Sequence, residues 1–271
     1  MNSFISTAYL MGGLGNQMFQ IANAYSQALK NNATPLFKKT AYTPMQANQP
    51  TKYLDNIYKK LNFVDYDFET ERVVEYSWNN ANLDFNFDKN IEFYGYFQSS
   101  KNFLNFSEEI KNLFEPSELF LNKIHSKYPS FKNTISLHVR RGDYLSINDV
   151  LPVIDISYIK KCLSYFTNYE KLFIFSDDKE WVKENLNLPN SEIVEDMEDF
   201  EELWTMSLCE NNIMSNSTFS WWGSYLNKNP NKTVLCPSIW FGPKGPQPYD
   251  NIYEPSWQKI NVNYKNGNLC Y

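Results

Sequence analysis

The regular part of the chain lies in its second half. From about residue 131, apolar runs at 134–139 (TISLHV), 171–175 (KLFIF), 191–194, 212–215 (NIMS) and 233–236 (TVLC) alternate with helical stretches at 156–167, 178–187, 199–210 and 218–228. A strand that is apolar at every position is buried on both faces. Such strands alternating with helices predict a parallel sheet covered on both sides. Sheets of this kind bind ligands beyond the carboxyl ends of their strands.

The first half also begins strand–turn–helix. Residues 4–10 (FISTAYL) read as a strand and MGGLGNQ as a turn. Residues 16–30 read as a helix with Phe19, Ala22, Asn23 and Ser26 on one side. Residues 34–38 and 91–97 (IEFYGYF) suit strands, and 100–127 suits two helices broken at Pro116. The stretch 40–90, rich in Asn, Asp and Tyr, shows no clear element. The expected architecture is α/β, with two halves, 1–130 and 131–271, facing a cleft and a parallel sheet in the second.

Composition narrows the class. At 271 residues, 42% apolar and 21% charged, the chain is neither disordered, collagenous nor a disulfide-dense mini-protein. Its aromatic content of 17% suits either a ring-lined groove or a ring-rich core. A net charge of −6 excludes a general basic coat for nucleic acid. Cys162, Cys209, Cys236 and Cys270 stand far apart, as free thiols in a reducing compartment do. With only His125 and His138 present, a histidine metal cluster is nearly excluded. Residues 2–29 carry no charge, but Asn16, Gln17, Gln20, Asn23, Gln27 and three glycines interrupt them, and no basic segment precedes them. A soluble protein without an export signal is expected, so the sequons at Asn32, Asn105, Asn216 and Asn231 carry no meaning for glycosylation.

Three motifs can carry chemistry. His138-Val139-Arg140-Arg141-Gly142-Asp143-Tyr144 stands where a buried strand runs out. Arginine presents a rigid fork of donors to phosphate oxygens. Alternation sets His138 and Arg140 on one side of the extended chain and Arg141 on the other. One arginine then faces a ligand while the other holds the loop. A surface ion pair between Arg141 and Asp143 is the plain alternative. The adhesion reading of Arg141-Gly142-Asp143 is discounted, because adhesion needs a free loop tip.

Gly12-Gly13-Leu14-Gly15-Asn16-Gln17 joins a strand to a helix, where glycines let backbone N–H groups approach a phosphate. A dinucleotide fingerprint would require glycine at Met18 and an acid where Lys38 and Lys39 stand. NAD binding and a P-loop are therefore set aside, and a plain tight turn stays open. Asn216-Ser217-Thr218-Phe219-Ser220-Trp221-Trp222-Gly223 opens a helix. Ser217 or Thr218 there is either an ordinary cap or a phosphate contact. Trp221 and Trp222 read as core. Among the acids, Asp177-Asp178 suits a ligand or a helix cap, and Asp65-Tyr66-Asp67 is a bare D-x-D. Glu198–Glu202 suits a first helical turn, with Glu202 nearest the sheet's carboxyl edge. The residues alone thus reach a two-part α/β protein with a nucleotide or sugar-phosphate site.

GGLGNQMFQ, HVRRGDY, FIFSDD and SNSTFSWWG, in this order across residues 11–223, closely resemble glycosyltransferase family 11, whose characterised members are mainly α-1,2-fucosyltransferases. The H-x-R-R-x-D element is shared with α-1,6- and protein O-fucosyltransferases, whereas N-S-T-F-S-W-W-G points to family 11. The resemblance implies a GT-B-like fold of two Rossmann-type halves. It places the acceptor on 1–130 and GDP-β-L-fucose on 131–271, with a C-terminal tail packing back on the first half. It implies inversion at the fucose anomeric carbon and no metal or other cofactor. At matching positions, Arg140 resembles the arginine that grips the β-phosphate and His138 a guanosine-side contact. Gly13 and Gly15 resemble a turn closing over the pyrophosphate, and Ser217 and Thr218 phosphate contacts. Glu202 falls where related enzymes hold an acid against guanine N1 and N2.

This fits the chemistry. Negative charge grows on the departing β-phosphate, and a fixed cation such as Arg140 stabilises it in place of a metal. Inversion also requires a base for the acceptor hydroxyl. Asp143 is the first candidate and is equally a structural partner for Arg141. Asp149, Asp155 and the substrate's own phosphate are reserves. The expected partners are GDP-fucose and a galactose-terminated oligosaccharide, with residues 40–90 helping to select the acceptor. No nucleic acid and no membrane span are expected. Animal members of the family carry a membrane anchor, and its absence here suggests a cytoplasmic enzyme of microbial or viral type. The competing readings are a fucosyltransferase of another linkage or a protein acceptor, a non-catalytic sugar-nucleotide or glycan-binding module, and a metal enzyme resting on Asp65 and Asp67.

Overall fold

In the computed structural model, which describes residues 4–42, 48–77 and 86–271, the chain divides into two compact units. The first comprises Met1–Ser117 with Asp250–Glu254, and the second Glu118–Tyr249 with Pro255–Tyr271.

The first unit runs β1 (Ile5–Ala8), α1 (Leu14–Lys30), β2 (Thr34–Pro35), β3 (Phe37–Lys38), β4 (Phe63–Val64), β5 (Glu71–Val74), β6 (Ile91–Tyr94) and α2 (Ser107–Leu113). Among the described residues, a parallel sheet has the order β2-β1-β6-β5, and β3 pairs separately with β4. The strand expected over 34–38 is therefore two strands. Leu36 donates its N–H to Ser6 in β1, whereas Phe37 donates to Asn62 beside β4. Helix α1 starts two residues before the expected Asn16, so Gly15 lies inside its first turn. The helix is buried nearly all round, which explains its uncharged polar residues. Gln20 bonds both the N–H (2.9 Å) and the carbonyl (3.1 Å) of Met11, and Gln17 donates to the Gly12 carbonyl at 2.9 Å. These amides hold the turn that precedes their own helix. Gly12 carries that turn at φ +76°, a conformation glycine adopts without penalty.

The second unit runs α3 (Glu118–Lys127), β7 (Thr134–Val139), β8 (Val153–Ile154), α4 (Ile156–Leu163), β9 (Lys171–Ser176), α5 (Lys179–Asn185), β10 (Ser191–Ile193), α6 (Asp199–Leu208), β11 (Asn211–Ile213), α7 (Thr218–Leu226), β12 (Val234–Pro237), β13 (Gln258–Ile260), β14 (Asn263–Lys265) and β15 (Asn268–Cys270). Among the described residues its main sheet has the order β10-β9-β7-β11-β12-β13, parallel throughout. Every residue of β7 is buried, as an apolar central strand requires. One face of β7 sends Ile135, Leu137 and Val139 into a core with Tyr158, Cys162 and Leu172. From the other face, Ser136 accepts from Asn212 Nδ2 at 2.7 Å, and that amide also donates to the Met206 carbonyl at 2.9 Å. Helix α3 joins this unit because Phe120 packs on Trp204, ring centroids 5.1 Å apart. No helix among the described residues is long and apolar enough to cross a membrane.

Candidate active site

In the second unit the chain steps from β7 outward through β9 to β10, then returns to lay β11 on the other side of β7. Open parallel sheets form a ligand crevice where the strand order reverses in this way, at the carboxyl ends of the two central strands. Two of the motifs meet there. His138 is the penultimate residue of β7, 4% exposed, with Nδ1 2.8 Å from the Ser215 hydroxyl just beyond β11. Burial, and secondarily Arg140, bring the imidazole down to about 3, so His138 is neutral. Its ring lies 5.5 Å from that of Phe219. The buried Tyr144 hydroxyl donates to the Asn216 carbonyl at 3.1 Å, and Asn216 Nδ2 donates to the Pro152 and Trp240 carbonyls, each at 2.9 Å. Ser217 caps α7, its hydroxyl accepting the Phe219 N–H at 3.3 Å, and Thr218 opens the helix.

The two arginines part as alternation requires. Arg141 is structural: its guanidinium lies 3.8 Å from the Trp181 ring centre, and Nε donates to Asp178 Oδ2 at 3.2 Å. Asp178 also caps α5 by accepting the Trp181 N–H. Arg140 stands between two carboxylates, with Nη2 2.8 Å from Asp143 Oδ1 and Nη1 3.2 Å from Asp177 Oδ2. Burial opposes its charge, but Asp177 and then Asp143 outweigh that and hold it above the ordinary arginine pKa. The pairing of Asp143 with Arg141 is thus corrected: its partner is Arg140. Gly142 turns the chain into the short 3-10 helix Asp143–Ser146, which carries Asp143 back over Arg140. Asp143 Oδ1 is buried against the Arg140 guanidinium, so the contact is a close charge pair.

Glu202 lies in the first turn of α6, at the carboxyl edge of the sheet. Its side chain is 14% exposed and pairs with Lys179 Nζ at 3.1 Å. Desolvation raises it to about 6, although Lys179 pulls the other way. In the first unit, Gly13 is the N-cap of α1, with no side-chain cap, and a Cβ there would meet nothing within 4 Å. Gly15 lies within the helix rather than in the turn. The reserve bases are otherwise engaged: Asp155 caps α4 and Asp149 pairs with Lys244 at 2.6 Å. Asp65 and Asp67 are exposed and pair with Lys39 (3.5 Å) and Lys38 (2.7 Å). Among the described residues, no group of three His, Cys, Asp or Glu side chains could hold a metal ion. Sequence reasoning missed Ser215, Tyr144 and Asn216 as the joints of the site, although all three lie in or beside its motifs.

The geometry has relatives. Over 94% of its length and 99% of the relative's, the chain is 28% identical to an alpha-1,2-colitosyltransferase of Escherichia coli. It is 29% identical to the O-antigen biosynthesis glycosyltransferase WbnK of the same organism, covering 86% of this chain and 93% of the relative. Its fold matches the fucosyltransferase NodZ from Bradyrhizobium, with a TM-score of 0.56 and 13% identity over 83% of this chain and 93% of that one. The fold is accordingly the GT-B-like α/β fold of fucosyltransferases. The family model of Glycosyl transferase family 11 matches residues 2–261, and the chain belongs to that family.

Proposed function

We propose that this glycosyltransferase moves L-fucose from GDP-β-L-fucose to the 2-hydroxyl of a terminal galactoside, with inversion. The observation that carries the reading is Arg140, a half-buried, permanently charged fork just beyond β7, the strand whose His138 meets Ser215 ahead of α7. As the bond from the anomeric carbon to the β-phosphate oxygen breaks, its electron pair passes to GDP. Arg140 and the N–H groups of α7 stabilise that charge, without a metal in this scheme. Ser217 and Thr218 add phosphate contacts, and neutral His138 faces the guanosine. Glu202 accepts from guanine N1 and N2. Gly13 and Gly15, at the amino end of α1, are assigned as pyrophosphate contacts. Asp143, three residues beyond Arg140 and paired with it at 2.8 Å, is the group assigned to take the acceptor proton. The four free thiols support a reducing, cytoplasmic setting.

A second donor is favoured by the relative named an alpha-1,2-colitosyltransferase: nucleotide-activated colitose in place of fucose. Side-by-side incubation of the purified protein with either donor and a β-galactoside decides between them. Linkage analysis of the product is expected to show a fucosyl α-1,2 bond. A 1,6-linked or Ser/Thr-linked product, or transfer of colitose alone, would overturn the reading.

A further inference from the structure

The geometry points to Asp177 as the positioning residue of this site, the group that fixes Arg140 and the turn around it for transfer. The inference rests on the phosphate role proposed for Arg140.

Asp177 and Asp178 follow β9 side by side, and the structure separates their work. Asp178 caps α5 and holds Arg141. Asp177 turns instead to the neighbouring strand's exit. Its Oδ1 accepts the Arg141 N–H at 2.9 Å, and its Oδ2 stands 3.2 Å from Arg140 Nη1. One carboxylate therefore holds the backbone on one side of Gly142 and the guanidinium before it. Gly142 is fitted to this arrangement: a Cβ there would stand 2.5 Å from Asp177 Oδ2. Any larger residue would push the carboxylate off its partners. An arginine side chain has several rotatable bonds and samples many rotamers when unanchored. A displacement of about 1 Å at a reacting centre costs on the order of a hundredfold in rate. A carboxylate beside a diphosphate site also repels the ligand, so its presence there is better explained by positioning than by affinity.

That opposition of effects makes the test specific. Asp177→Asn keeps the acceptor for the Arg141 N–H and the fit against Gly142 but removes the charge that holds Arg140. The expected result is a kcat lowered about ten- to a hundredfold, with the donor KM unchanged or lower, the melting temperature kept, and the acid limb of the kcat–pH profile unmoved. In an Arg140→Lys background, the same substitution is expected to cost far less, because the fork it positions is gone. Gly142→Ala, which displaces Asp177 without changing its chemistry, is expected to reproduce the kcat loss. An equal cost in both backgrounds, a lost acid limb, or a raised KM with unchanged kcat would overturn the proposal. The wild-type enzyme is assayed first: absent donor binding and transfer there would contradict the function proposed for the site, not the role of Asp177 within it.

Discussion

At the scale of single residues, charge decides the account. Arg140→Ala removes the group proposed to meet the growing phosphate charge, and transfer is expected to fall on the order of a hundredfold or more in steady-state assays. Glu202 supplies a pH signature. Its proposed role, accepting from guanine N1 and N2 together, calls for the anion, and desolvation raises its pKa to about 6. Affinity for GDP-fucose is therefore expected to weaken as pH falls through 6, and titrations of Glu202→Gln should lack that limb. His138 acts on stability in the other direction from a proton-holding group. Its folded pKa of about 3 lies below the unfolded value of 6.5. Its contribution is present above pH 6.5 and is lost as pH falls toward 3. Much of this was legible in the sequence, since alternation alone separated Arg140 from Arg141. The partner of Asp143 was not, because it depends on how Gly142 turns the chain, and that is a backbone angle rather than a pattern.

At the scale of elements, caps and close approaches govern. Gly223 of α7 faces Met206 of α6, and an added Cβ would stand 2.8 Å from the Met206 Cβ. Gly223→Ala is expected to push the helices apart at a cost of about 1–3 kcal/mol, read from denaturant midpoints. Tyr144→Phe leaves the Asn216 carbonyl without this donor and is expected to cost about 1–3 kcal/mol, seen in the same measurement. The long helices and the buried strands announced themselves by their periods, and β7 falls at 134–139 as its apolar run suggests. β8 is only two residues long, and the exposed, alternating β14 is only three. Unlike β10 and β11, which are as short, they do not fall in the regular alternation of apolar runs with helices, so β8 and β13 to β15 went unseen.

At the scale of the whole molecule, the high aromatic content is spent largely on the interior: Trp204, Trp221, Trp222 and Trp240 are all fully buried. Within residues 40–90, Tyr53 and Tyr58 are buried too, and Tyr58 stacks on Phe63 at 5.5 Å. A ring-rich core has no period of its own, which is why that stretch read as featureless. Strand order was equally hidden, because the sequence does not mark which side of β7 receives β11. Only that choice brings His138 to Ser215, 77 residues away, and turns two separate motifs into one site. The most direct test is calorimetric titration of the purified protein with GDP-fucose in EDTA, which needs no knowledge of the acceptor. Saturable binding, competed by GDP and lost in Arg140→Ala, is the predicted result. No binding by the folded wild type, or binding undiminished in Arg140→Ala, would contradict it.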